Sequence, residues 1–237
     1  MATKHHYLLS SLLALTLLQG ILAYKFTATN NASATPGGRR FDSEIGVAYT
    51  VQTMPKIAAF IWKVFRQPTD ADRRHYPVDV INLYVQDLQD GALGETGDNN
   101  VYMSALGIEH YAPGSAVFQF TSILYHEMTH IFQWSGQGTA PGGLTEGMAD
   151  YVVLKSDFAV GGYSTPGEGS RWDEGYGVTS RFLEYCDSLK EGFTAELNKM
   201  MRKVYKEEYF NQLLGKSVDE VWRDYKAKYS NVSALGY

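Results

Sequence analysis

The pentapeptide His126-Glu127-Met128-Thr129-His130 is the stretch that most constrains what this chain can become. It lies within Ser122 to Trp134, a run without Gly or Pro whose pattern predicts a helix. Residues four apart on a helix lie one above the other, so both imidazoles face the same space. Two neutral imidazoles placed this way can each give one nitrogen to a Zn2+ ion. Glu127 projects beside that point, where a carboxylate can take a proton from an attacking water. Three protein ligands leave a catalytic zinc site open and four close it, so the pattern requires one more ligand from outside this helix.

Ser135 to Gly143 (SGQGTAPGG) reads as a flexible reversal, and Leu144 to Leu154 returns to a helical pattern. There Glu146 and Asp150 are four apart and share a face. Glu146 is taken as the third ligand. Asp150 is taken as the carboxylate that accepts the other ring N–H of a ligand histidine and fixes its tautomer, with an exchange of these two roles left open. This pair of helices resembles the Glu-zincin peptidases. The rival arrangement needs a glycine three residues after the second histidine and a histidine or aspartate three further on; the chain has Gln133 and Gly136 there. An HExxH pentapeptide also arises by chance, and a Glu and Asp four apart are more often a solvated helix face. The order of helix, Gly-rich reversal and second helix favours the metal centre.

The run Leu124 to His130 (LYHEMTH), followed by Ala140 to Tyr151 (APGGLTEGMADY), resembles the plant basic secretory protein family. The likeness extends to Ser33–Phe41, Trp172–Tyr176, Phe182–Cys186, Leu214–Val218 and Asp224–Lys228, and so covers nearly all of the chain after residue 23. It implies a secreted, defence-associated plant protein of the apoplast or cell wall, with a zinc-peptidase-like site.

Residues 1–23 read as a signal peptide, with Lys4 before an apolar run from Tyr7 to Leu18 that is too short to span a bilayer. Residues 24–237 are then expected to form one domain, extracellular and without a membrane anchor. Removing Lys4, the one charge in residues 1–23, takes the net charge from -5 to -6. That acidic balance departs from the family's name and argues against a nucleic-acid partner. Cys186 is the single cysteine, so no intramolecular disulfide can form, and its helical context predicts a buried inert thiol. Asn31 and Asn231 each begin a glycosylation acceptor triplet.

Tyr24 to Asn30 alternates like a strand. The pattern turns helical from Asp42, with Pro55 read as an early position of a helix running to about Phe65. Val78 to Val85 is the clearest strand. Asp87 to Asn100, with Gly91, Gly94 and Gly97, reads as a solvated loop whose acidic spacing fits no calcium motif. Asn100 to Ser104 reads as a short strand, assigned by analogy with zinc peptidases to the sheet edge along a cleft. His110 reads as a loop histidine. Tyr176 opens a helix to about Leu189, and its hydroxyl is the candidate donor to a tetrahedral oxyanion, although most tyrosines are core or rim aromatics. Helices are expected over Ala195–Tyr205, Glu207–Leu214 and Ser217–Tyr229, the last with a Ser217/Glu220 capping box.

The expectation is an α+β zincin-like domain, with a small mixed sheet beside the histidine helix and a mainly helical second half. Zn2+ is expected on His126, His130 and Glu146, with Glu127 as general base, Asp150 as orienting carboxylate and Tyr176 as oxyanion donor. The expected reaction is peptide-bond hydrolysis by a monomer, on a protein or peptide substrate. The alternative is a non-catalytic defence or cell-wall-binding protein that keeps the fold.

Overall fold

A computed structural model describes residues 24–74, 79–89, 91–159 and 164–233. The expected signal peptide lies outside the described residues, as do Val78, Asp90, Gly161, Gly162 and the side chain of Asn231. Four strands, β1 (Lys25–Asn30), β2 (Val80–Gln86), β3 (Gly94–Gly97) and β4 (Asn100–Ser104), form one sheet in the order β1-β2-β4-β3. β1, β2 and β4 run parallel and β3 runs antiparallel to β4, which makes the sheet mixed. Period-two alternation sets its faces. Ile81, Leu83, Val85, Val101 and Met103 are buried on one face. The other carries Tyr84 stacked on Tyr102 and a Thr27–Asn82 hydrogen bond of 2.7 Å.

Helices α1 (Pro36–Glu44) and α2 (Gly46–Val64) follow β1, α3 (Ala105–Glu109) follows β4, and α4 (Ala116–Phe132) carries the histidine motif. Helix α1 begins six residues before the expected start at Asp42. Pro36 occupies its first turn, and Thr35 Oγ1 accepts from the Gly38 N–H at 3.0 Å. Pro55 lies in the interior of α2 rather than near its start. The lost backbone hydrogen bond is offset by the burial of Met54, Ile57, Ala58, Ile61 and Trp62 on either side of it.

The second half is helical: α5 (Gly142–Lys155), α6 (Tyr176–Leu189), α7 (Phe193–Met200), α8 (Glu208–Leu214) and α9 (Val218–Ser233). Ser217 and Glu220 make the expected reciprocal cap, with Ser217 N–H donating to Glu220 Oε2 at 2.8 Å. Cys186 is free and buried, and burial pushes its thiol well above the ordinary range. Among the described residues no helix is long and apolar enough to cross a membrane.

Two apolar cores meet at α5. Val152 and Val153 join the core of the sheet, α2 and α4, while Leu144, Met148 and Tyr151 join that of α6 to α9. A helix used on both sides must be apolar over most of its surface, and two of its polar residues, Glu146 and Asp150, turn toward α4. The α5–α6 contact depends on Gly147, where a Cβ would sit 2.3 Å from the Thr179 Cβ. Thr179 cannot yield easily, because its Oγ1 accepts from Gly175 N–H and donates to Trp172 O, both at 2.8 Å. Gly147→Ala is therefore expected to destabilise by about 1–3 kcal/mol despite the better helix propensity of alanine. Thermal unfolding would register this as a Tm lower by roughly 2–12 °C for a domain of this size.

Candidate functional site

Helix α4 presents His126 and His130 one turn apart, and α5 brings Glu146 and Asp150 against them. The His126 and His130 Nε2 atoms are 3.1 Å apart; Glu146 Oε2 lies 3.1 Å from the first and 3.6 Å from the second. Donor atoms of a tetrahedral ion with bonds of about 2.0–2.1 Å stand about 3.3 Å from one another. The three atoms thus fit one face of such a tetrahedron, and this is the one His/Cys/Asp/Glu group able to hold a metal among the described residues. Asp150 Oδ1 instead meets His126 Nδ1 at 2.7 Å, on the far side of the ring from the common point. That geometry places Glu146 with the histidine nitrogens and Asp150 behind them.

The other histidine has a partner that the sequence reading missed. Gln133, 1% exposed at the end of α4, puts its amide 2.6 Å from His130 Nδ1. The two ends of an amide are interchangeable in position. With its nitrogen toward His130, Gln133 Oε1 is buried without a partner. With its oxygen toward His130, it accepts the Nδ1 proton and leaves Nε2 free to bind an ion, as Asp150 does for His126. A glutamine three residues after the second histidine is the signal the sequence carries for this contact.

Glu127 is 5% exposed and faces the sheet edge. That edge is β3, from within the expected loop, and not Asn100 to Ser104. β4 is interior to the sheet because the chain doubles back through Asp98, whose φ of 51° closes the β3–β4 reversal. The register pairs Gly94 with Met103 and Thr96 with Val101, so both β3 residues lie on the face toward α4. Thr96 Oγ1 contacts Glu127 Oε2 at 2.7 Å and its backbone oxygen at 2.9 Å. At Gly94 a Cβ would come within 2.8 Å of Glu127 Cγ and Oε1, so only glycine admits the carboxylate. Short strands with two glycines carry little β signal, and pairing to β4 overrides it.

Tyr176 starts α6 with φ 43°, a costly conformation for a residue with a side chain. Its ring stacks on His126 at 5.9 Å between centroids and 14° between planes, and it remains 58% exposed. The negative charge of Glu146, then burial and a hydrogen bond to Glu146, push its hydroxyl pKa up and keep it a donor. His110, by contrast, is exposed beyond α3 with Nδ1 on Leu106 O, away from the group. All five candidate residues and Asp150 line one cleft of about 1040 Å³, bordered also by Arg74, Thr96 and Ser164.

Burial alone would lower the His126 pKa, but hydrogen bonds to Asp150 and Glu146 and the charge of Glu127 outweigh it and raise it to about 10. For Glu146, burial is outweighed by hydrogen bonds from both histidines, which hold it well below the usual carboxylate range. Burial raises Glu127 against the opposing pull of the histidines and Thr96.

A family model described as "Peptidase of plants and bacteria" matches residues 22–225. The Basic secretory protease of Boswellia serrata is 43% identical over 58 residues, 24% of this chain. The chain covers 66% of that relative's length, a little under two thirds. No solved structure matches.

With His126 raised from 6.5 to about 10, its ionised form adds stability to the metal-free chain that is full below about pH 6.5 and is lost as pH rises through about 10. Binding of a divalent ion needs neutral imidazole, so ion binding at pH 7 is expected to release about one proton. Calorimetry of zinc binding in two buffers of different ionisation enthalpy measures this release. Apparent affinity should climb about tenfold per pH unit between roughly pH 7 and 9.

Proposed function

Because the chain belongs to the basic secretory protein family, peptidases of plants and bacteria, we propose that it is a secreted zinc-dependent peptidase with a zincin-like fold, acting in plant defence. The observation that carries the reading is the convergence of His126 Nε2, His130 Nε2 and Glu146 Oε2, with Glu127 alongside. The donor set of two imidazoles and one carboxylate suits zinc and leaves a position open for water or substrate. When bound, zinc would polarise the scissile carbonyl and lower the pKa of water at the site.

The chain's own residues supply the rest. His126, His130 and Glu146 hold the ion, while Asp150 and Gln133 fix the ring tautomers from behind. Glu127 takes a proton from the attacking water and returns it to the leaving amine; burial raises its pKa above the ordinary carboxylate value. Thr96 fixes one carboxylate oxygen, so the other is the one that moves the proton. The Tyr176 hydroxyl donates to the oxygen of the scissile carbonyl as negative charge builds on it. The β3 edge offers unpaired backbone groups to an extended peptide. The protein follows a cleaved leader as one domain and works as a monomer.

Glu127→Gln retains every proposed metal ligand and removes the base. It should bind zinc as the wild type does and lose roughly 10²–10⁴ in kcat on a broad protein substrate. Zinc analysis and a proteolysis assay on the two proteins check this. Unchanged hydrolysis would eliminate Glu127 as the base, and equal inactivity of both zinc-loaded proteins would favour a binding protein.

A further inference from the structure

A second cavity of about 750 Å³ opens beside the first and shares Ala92, Leu93, Ser122 and Ile123 with it. The two therefore adjoin along these residues, between α4 on one side and the approach to β3 on the other. Their chemistry differs. The first holds Glu95, Glu127, Glu146, Asp150 and Arg74, whereas among the described residues no Asp, Glu, Lys or Arg lines the second. Three of the large apolar side chains that the protein exposes, Leu93 at 53%, Leu106 at 53% and Phe118 at 37%, gather around it. Clustering of this kind marks a contact site, since isolated exposed apolar residues are ordinary. Its wall also contains the buried Tyr111 and the exposed His110.

We propose that this second cavity is a specificity pocket for a large apolar side chain, such as leucine, phenylalanine or tryptophan, of the peptide being cut. The inference rests on the peptidase reading and names the substrate class of the same cleft. Distance along the helix locates the residue that is read. Ser122 is one turn before His126 and Phe118 two turns, placing the pocket about 6–12 Å from the histidine along α4. An extended peptide advances about 3.3 Å per residue, so the apolar residue stands about two to four positions from the scissile bond.

The test uses the zinc-loaded chain and a peptide panel that varies Trp, Leu, Gly and Asp at each position near the cut, with cleavage sites read by mass spectrometry. Wild type should favour Trp or Leu over Gly at one position by roughly 10–200-fold in kcat/KM. Leu106→Glu, a change at an exposed helix position, should reduce that ratio at least tenfold. Leu189→Glu, equally exposed on α6 but away from the cavity, should leave it unchanged. Cleavage without an apolar preference, or a preference that survives Leu106→Glu, overturns the pocket while the peptidase reading stands. If no peptide is cut, the peptidase reading fails first, and fluorescence anisotropy of the same labelled peptides on Glu127→Gln still decides the pocket. Tighter binding of the Trp and Leu peptides, lost on adding Leu106→Glu, supports it; equal affinity across the panel overturns it.

Discussion

The 2.7 Å contact between His126 and Asp150 joins the two helices on which everything else at the site depends. It links a residue of α4 to a residue of α5, the helix whose contact with α6 depends on Gly147. Glu146 is one turn before Asp150, so the contact that orients the histidine also aims the second carboxylate. Helices are rigid at this length, and three donor atoms are brought to one point by a single interhelical register. Positioning on two such elements gives the precision that a loop-borne ligand would lack.

Electrostatics hold the arrangement together before any ion arrives. Three carboxylates close to two imidazoles keep His126 protonated and Glu146 ionised, a pairing that compensates for removing both from water. A bound cation would take the place of the proton, so the same carboxylates would serve both states. Glu127 stands apart in this balance: buried beneath β3 and fixed by Thr96, it is the carboxylate whose pKa moves up. Environment thus separates one carboxylate suited to move a proton from another suited to stay charged.

Much of this was legible in the chain, and the exceptions have physical causes. Four-residue spacing on uninterrupted helices is strong information, so His126, His130, Glu146 and Asp150 could be placed together from the sequence, as could α6 and the cap of α9. The sheet edge was not legible, because Gly94-Glu95-Thr96-Gly97 has no intrinsic strand preference and gains its form from pairing with β4. Thr96 was consequently missed, since its role requires knowing the register. Pro55 was misread because proline predicts a helix start locally, whereas burial of its neighbours carries α2 through it. Gln133 was visible yet silent: a side chain that supports a ligand from behind has no spacing rule of its own.

The central claim is that two imidazoles and one carboxylate of this chain hold a single zinc ion with room for a further oxygen ligand. Zinc-edge X-ray absorption of the zinc-loaded protein after residue 23 tests it most directly. The account predicts a shell of nitrogen and oxygen at about 2.0–2.1 Å, with the outer-shell scattering of two imidazoles that vanishes when both His126 and His130 are replaced by alanine. An ion surrounded by water alone, a shell containing the Cys186 sulfur at about 2.3 Å, or two-imidazole scattering that persists in the double variant would contradict it.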